Sequence, residues 1–286
     1  MLHWRNTIFL PLVALLLVVP AEAQQSPAGG FTILLSNDDG YDAPGLRALI
    51  EALRPAGEIT VAAPAIEQSG KGHGLTLREP ILVTERKQPN GATWYAIEAP
   101  PATCVRLAVE SLLARRPDVV ISGINRGDNL GMTVYHSGTV GAAREAAIVN
   151  LPAIAVSIRG DDPATYATAA GYIRTLVEQL RARQALKPGL FLNVNVPAGP
   201  LRGVRVTRLS VKPRYDRFER RASPAGRLYF WPGWDQLEDD AEGTDVWALV
   251  RGFITVTPMG LDVPATETSE ALRSLESWSP AAIPAR

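Results

Sequence analysis

From residue 31 onward, short apolar runs alternate with stretches in which apolar residues recur every three or four positions. Phe31–Ser36 is a run of strand formers that stops at Asn37-Asp38-Asp39-Gly40, a turn signal. Pro44 suits a helix start, and Leu46, Leu49, Ile50 and Leu53 follow at i, i+3, i+4 and i+7. Glu58–Ala62 reads as a second strand, Pro101 opens a helix with Val105, Ala108, Val109 and Leu112 on one face, and Asp118–Ser122 reads as a buried strand. An alanine-rich helix over Val140–Val149, a strand over Ala153–Ser157 and a long helix through Tyr166, Ala170, Ile173, Val177 and Leu180 continue the rhythm. Such alternation predicts an α/β fold, a parallel sheet with helices on both faces.

Beyond about residue 200 the rhythm changes. Val204–Leu209 and Phe253–Thr257 predict strands, and Thr268–Trp278 predicts a closing helix. Between them, Lys212–Gly243 is rich in Arg, Pro, Gly and aromatics without a clear period, as expected of an extended hairpin or arm. The expected division is a main domain over 31–200 and a smaller C-terminal part over 201–286.

The residues before 31 follow another pattern. Arg5 precedes an almost unbroken apolar run, Ile8–Val19, and Ala21-Glu22-Ala23 has the small-x-small form of a cleavage site. The run is about 12 residues, short of the ~20 that span a bilayer as a helix. The expectation is a signal peptide over 1–23, cleaved near Ala23, and an exported, periplasmic or secreted protein with no stable membrane span after cleavage. An uncleaved N-terminal membrane anchor is the alternative.

Composition narrows the function. The 286 residues carry 29 Lys+Arg against 29 Asp+Glu, so no surplus positive charge points to nucleic-acid phosphates as the main partner. Arg214, Arg217, Arg220 and Arg221 with Tyr215, Phe218, Phe230, Trp231 and Trp234 have the composition of a base-stacking surface, yet with overall neutrality an assembly arm accounts for them better, and no nucleic-acid binding is expected. Cys104 is the only cysteine, so no internal disulfide forms.

In an open α/β sheet, ligands bind beyond the carboxyl ends of the strands. Three such ends are rich in small polar residues. Asp38 and Asp39 are adjacent carboxylates whose repulsion a cation would relieve; the same residues would also serve as a solvated turn capping the next helix. The loop after the second strand, Pro64–Gly74, presents Ser69 among Gly70, Gly72 and Gly74, which let backbone approach a ligand; it equally reads as a mobile loop. The third stretch, Ser122–Gly131, offers Asn125 and leads to Ser137-Gly138-Thr139 at a helix start, where free N–H groups seat an anion and a Ser or Thr side chain caps the helix. The donors on offer are oxygens. With three histidines and one cysteine in the chain, Mg²⁺ or Mn²⁺ suits them better than zinc. A cation beside an anion seat suggests metal-assisted phosphoester hydrolysis by water. Neither G-x-x-x-x-G-K-[ST] nor G-x-S-x-G occurs, and adjacent rather than alternate carboxylates disfavour an aspartyl-phosphate route.

Ser36-Asn-Asp-Asp-Gly40, Gln68-Ser-Gly70, Ser122-Gly-Ile-Asn125 and Ser137-Gly-Thr-Val140, in this order and spacing, resemble the SurE family, and Leu192–Pro197, Gly243-Thr-Asp245 and Val256-Thr-Pro258 extend the likeness over roughly residues 31–262. The resemblance implies a Rossmann-like catalytic domain over 31–200 and a C-terminal arm building a homodimer or homotetramer. It implies a divalent-metal-dependent phosphomonoesterase acting on nucleoside 5′- and 3′-monophosphates or other small phosphomonoesters, with one Mg²⁺ or Mn²⁺ per subunit. By position, Asp38, Asp39, Ser69 and Asn125 are the implied metal ligands. Asn125, Ser137, Gly138 and Thr139 are the implied phosphate-binding group, and Asp39 and Asn125 the catalytic pair, with Asp39 orienting or deprotonating water. The alternatives are a broad-specificity exported acid phosphatase and a non-catalytic metal- or nucleotide-binding module. Thr103, His136 and Ala146 depart from the family pattern without removing a ligand, and His136 adds a titratable group beside the anion seat.

Overall fold

The computed structural model describes residues 30–212, 216–234 and 237–261. The signal peptide expected over 1–23 and the helix expected over Thr268–Trp278 lie outside these residues. The first strand, β1 (Thr32–Ser36), is followed by helix α1 (Pro44–Leu53), which begins at the expected proline, and by β2 (Glu58–Pro64). Two strands that the apolar pattern does not announce come next, β3 (Val83–Lys87) and β4 (Thr93–Ile97). β3 sits at the sheet edge with four of its five residues exposed, so it has no apolar alternation to read. Helix α2 (Pro101–Leu107) ends in one π-helical turn, Ala108–Leu112, before β5 (Val119–Arg126). Helix α3 (Gly138–Ile148), β6 (Ala153–Ile158), α4 (Pro163–Ala182) and β7 (Phe191–Val196) complete the alternating part. Beyond residue 200 come β8 (Val204–Val206), the hairpin strands β9 (Asp216–Ala222) and β10 (Leu228–Trp234), the short helix α5 (Asp245–Val250) and β11 (Ile254–Pro258).

The main sheet has nine strands in the order β3-β4-β2-β1-β5-β6-β7-β11-β8. β4, β2, β1, β5, β6 and β7 run parallel, while β3 and β11 pair antiparallel to their neighbours β4 and β7. This is the mostly parallel α/β sheet that the pattern predicts. β8 and β11, from beyond residue 200, extend that same sheet, and β9 and β10 form a separate two-stranded sheet. Alternate residues of β1 serve opposite faces: Ile33 and Leu35 pack with Leu46, Leu49 and Leu53 of α1 and Ile173 and Val177 of α4. Leu34 packs on the other side with Cys104 and Val105 of α2 and Val140 and Ala143 of α3. Among the described residues no helix is long and apolar enough to cross a membrane.

The chain leaves β1 towards β2 on one side and reaches β5 on the other, so the carboxyl ends of β1 and β5 flank a topological switch point, where α/β folds bind ligands. β5 runs four residues further than its apolar run suggests. Its pairing with β6 shifts between Ser122 and Asn125, a bulge that accommodates Gly123 and Ile124 and carries the strand on to Asn125 and Arg126. Gly123 sits at φ +139°, and a Cβ there would come within 2.3 Å of the Val156 carbonyl oxygen, so only glycine fits.

Candidate active site

Direct hydrogen bonds tie three chain segments to the Asp38–Asp39 turn. The Asp38 carbonyl accepts from the Gln68 N–H at 2.7 Å, which brings in the loop carrying Ser69. An Asp39 carboxylate oxygen, Oδ2, accepts from the Arg126 N–H at 3.1 Å, beside Asn125. Asp38 Oδ1 accepts from the Thr139 hydroxyl, and the Thr139 N–H also donates to this carboxylate. Asp38 thus sits at the N-terminal end of α3, where the helix dipole and free N–H groups favour negative charge. Gly138 approaches it so closely that a Cβ would lie 2.8 Å from Asp38 Cβ.

The carboxylates are strained electrostatically. Burial pushes the Asp38 carboxyl above its ordinary range, more than the Thr139 donors lower it, and the Glu67 charge adds to the rise. Asp39 is pushed up to about 6, first by burial and then by the Asp38 charge, against the N–H and the charge of Arg126. Both aspartates feel Glu67, a third carboxylate that sequence reasoning passed over. Its signal was its place two residues before Ser69, whose hydroxyl donates to Glu67 Oε1 at 3.0 Å.

The predicted residues fall as follows. Asn125 is buried, and its Nδ2 donates to the Gly127 carbonyl at 2.7 Å, leaving its Oδ1 as the acceptor on offer. Ser69 is exposed on its loop, one residue from the Gln68 contact with Asp38. The Ser137 hydroxyl accepts from the Val140 N–H at 3.1 Å and caps α3. Thr139 is fully buried and spends its hydroxyl on Asp38. Ser36 Oγ, Asn37 Oδ1 and Ser122 Oγ, at the carboxyl ends of β1 and β5, are buried with no hydrogen-bond partner, so the site retains spare polar capacity. Among the described residues no three His, Cys, Asp or Glu side chains form a metal cluster. A cation here would rely on the two aspartates and on the neutral oxygens of Ser69 and Asn125, a hard donor set that fits Mg²⁺ or Mn²⁺.

A buried polar network outside the site supports it. Asn195 Oδ1 accepts from the Asn129 N–H at 2.8 Å, while Asn193 and Asn195 both donate to the Asn129 carbonyl, at 2.8 and 3.0 Å. Asp245, fully buried, accepts from the Gly131 N–H at 2.8 Å and the Ser210 N–H at 2.9 Å. Two motifs distant in sequence, Leu192–Pro197 and Gly243-Thr-Asp245, therefore hold the stretch that follows Asn125.

Residues 33–216 match the family described as Survival protein SurE. A protein of Heliobacterium modesticaldum named 5′-nucleotidase SurE is 46% identical over 81% of this chain and 86% of its own length. One of Thermus thermophilus, named 5′-nucleotidase SurE 1, is 42% identical over 85% of this chain and 97% of its own. The crystal structure of SurE protein from Aquifex aeolicus superposes with a TM-score of 0.73 at 35% identity, covering 86% of this chain and 99% of that one. These matches correct the expectation of export, whether by a signal cleaved near Ala23 or with an N-terminal anchor. The kinship lies with proteins named 5′-nucleotidase SurE. An apolar run of about 12 residues is no proof of an address, because buried helices carry runs of that length too. Matched over most of its length by the family and by relatives at 42–46% identity, this chain belongs to the SurE family.

Proposed function

We propose that the chain is a divalent-cation-dependent phosphomonoesterase that hydrolyses nucleoside 5′- and 3′-monophosphates by attack of water. The observation that carries this reading is the convergence of Gln68, Arg126 and Thr139 on the adjacent Asp38 and Asp39. The names of the relatives, 5′-nucleotidase SurE, support the substrate class. Asp38, Asp39, Ser69 and Asn125 would hold one Mg²⁺ or Mn²⁺ per subunit. When bound, the cation supplies charge neutralisation at the phosphoryl oxygens and polarises the attacking water.

The protein's own residues do the rest. Ser137, Gly138 and Thr139 stand at the N-terminal end of α3, where backbone N–H groups would orient a phosphoryl group, and Asn125 joins them from the end of β5. Thr139 acts through Asp38, which it fixes by hydrogen bond. Asp39, whose carboxyl burial and the Asp38 charge raise to about 6 in the metal-free protein, becomes a carboxylate beside the cation and holds or accepts a proton of the attacking water. Phosphate release from 5′-AMP and 3′-AMP should need Mn²⁺ or Mg²⁺ and stop on addition of EDTA; activity indifferent to chelation would refute the reading.

Residues 201–286 act as the assembly part in this reading. The hairpin of β9 and β10 exposes Phe218, Phe230 and Trp231, and edge strand β8 exposes Val206. Such apolar surface supports a homodimer or homotetramer.

A further inference from the structure

The loop that carries Ser69 is held at two places. At its start, the Gln68 N–H donates to the Asp38 carbonyl. At its end it lies along α3. There the Gly72 N–H donates to the His136 carbonyl at 3.0 Å, and the Gly72 carbonyl approaches Gly141 so closely that a Cβ on Gly141 would be 2.2 Å away. His73 follows immediately, with Nε2 2.6 Å from Glu145 Oε2. Between the two anchors lie Ser69, Gly70 and Lys71, all exposed.

Glu145 is an unusual residue for the middle of a helix. Its carboxylate is completely buried, and Arg106 of α2 pairs its other oxygen at 2.5 Å. A buried carboxylate is tolerated only when paired, and for packing α2 on α3 alone an apolar side chain would serve as well. What an apolar side chain could not do is hold the imidazole of His73. The pair therefore adds a directional side-chain tether to the backbone contact of Gly72.

We propose that His73, clamped by the buried Glu145, is a positioning residue that keeps the Ser69 hydroxyl in register with Asp38, Asp39 and Asn125. The proposal rests on the reading of these four residues as a cation site. Groups that orient a metal ligand without touching the metal typically change affinity 10- to 100-fold when removed.

The test is Mn²⁺ binding to the full chain, measured by the loss of free Mn²⁺ signal in electron paramagnetic resonance, together with thermal unfolding of the metal-free protein. His73→Ala should raise the Mn²⁺ Kd about tenfold or more. His73→Gln, whose Nε2 can still donate to Glu145, should recover most of that loss. Arg106→Met removes the other partner of Glu145 without touching the loop, so it should lower the melting temperature and leave the Kd within about twofold of wild type. An unchanged Kd in His73→Ala, or equal weakening by His73→Ala and Arg106→Met, would overturn the proposal. A wild-type protein that binds no Mn²⁺ would remove the cation reading itself, and this inference with it.

Discussion

Asp38 and Asp39 owe their state to what surrounds them, and that makes their behaviour predictable. Asp39 has its pKa raised to about 6 by burial and by Asp38, so the metal-free fold favours its protonated form. Its stabilising contribution is present at low pH and is lost as pH rises through about 6. Asp39→Asn keeps the shape and removes the charge. Without metal, the variant should gain in melting temperature relative to wild type as pH rises from about 4 to 7, because Asp39 ionises over that interval; a difference that stays flat would contradict the assigned environment. The same variant should lose at least about 100-fold in kcat, the lower range for a general base. Thr139→Val deprives buried Asp38 of a side-chain donor. Denaturant unfolding should show a loss of about 1–3 kcal/mol, the penalty of an unmet buried polar group. At this scale the sequence was readable for the residue types, because Asp-Asp, Ser and Asn at strand ends carry their chemistry openly. The use of Thr139 on Asp38, and the pull of Glu67 on both aspartates, depended on three-dimensional proximity that no spacing expresses.

The alternating core elements were legible because burial on both faces writes continuous apolar runs into β1, β5 and β6. β3 escaped notice because most of it is exposed, and the bulge of β5 because Gly123 has no side chain to announce it. Gly123→Ala places a Cβ 2.3 Å from the Val156 carbonyl and should prevent a stable soluble fold; soluble expression with a wild-type melting temperature would show that the bulge is dispensable. The asparagines of β7 and Asp245 at the start of α5 were visible as motifs but not as supports. Asp245→Asn replaces one acceptor oxygen by a donor among the N–H groups of Gly131, Ser210 and Val246. Urea unfolding should show a loss of about 1–3 kcal/mol. Turnover should fall with it, since the stretch following Asn125 hangs on that carboxylate.

At the scale of the molecule, one sheet spans both parts of the chain, and the β9–β10 hairpin is the element that stays outside it. Trp231 is 60% exposed on that hairpin and Phe218 64%, an apolar display that water disfavours unless another surface covers it. Trp231→Glu should shift the protein to monomer in light scattering with its circular dichroism intact; an unchanged mass would place the interface elsewhere. The aromatic composition of 212–243 gave away an arm but not its pairing, because edge and hairpin strands lack a buried face to enforce alternation. The proposed chemistry depends on a cation being gripped where the ends of β1, β2 and β5 meet the start of α3. Anomalous diffraction from a crystal soaked in Mn²⁺ tests this most directly. One strong peak per subunit is expected, in direct ligation distance of Asp38, Asp39, Ser69 and Asn125. A peak elsewhere, or none at these residues in a crystal that admits the ion, would contradict it.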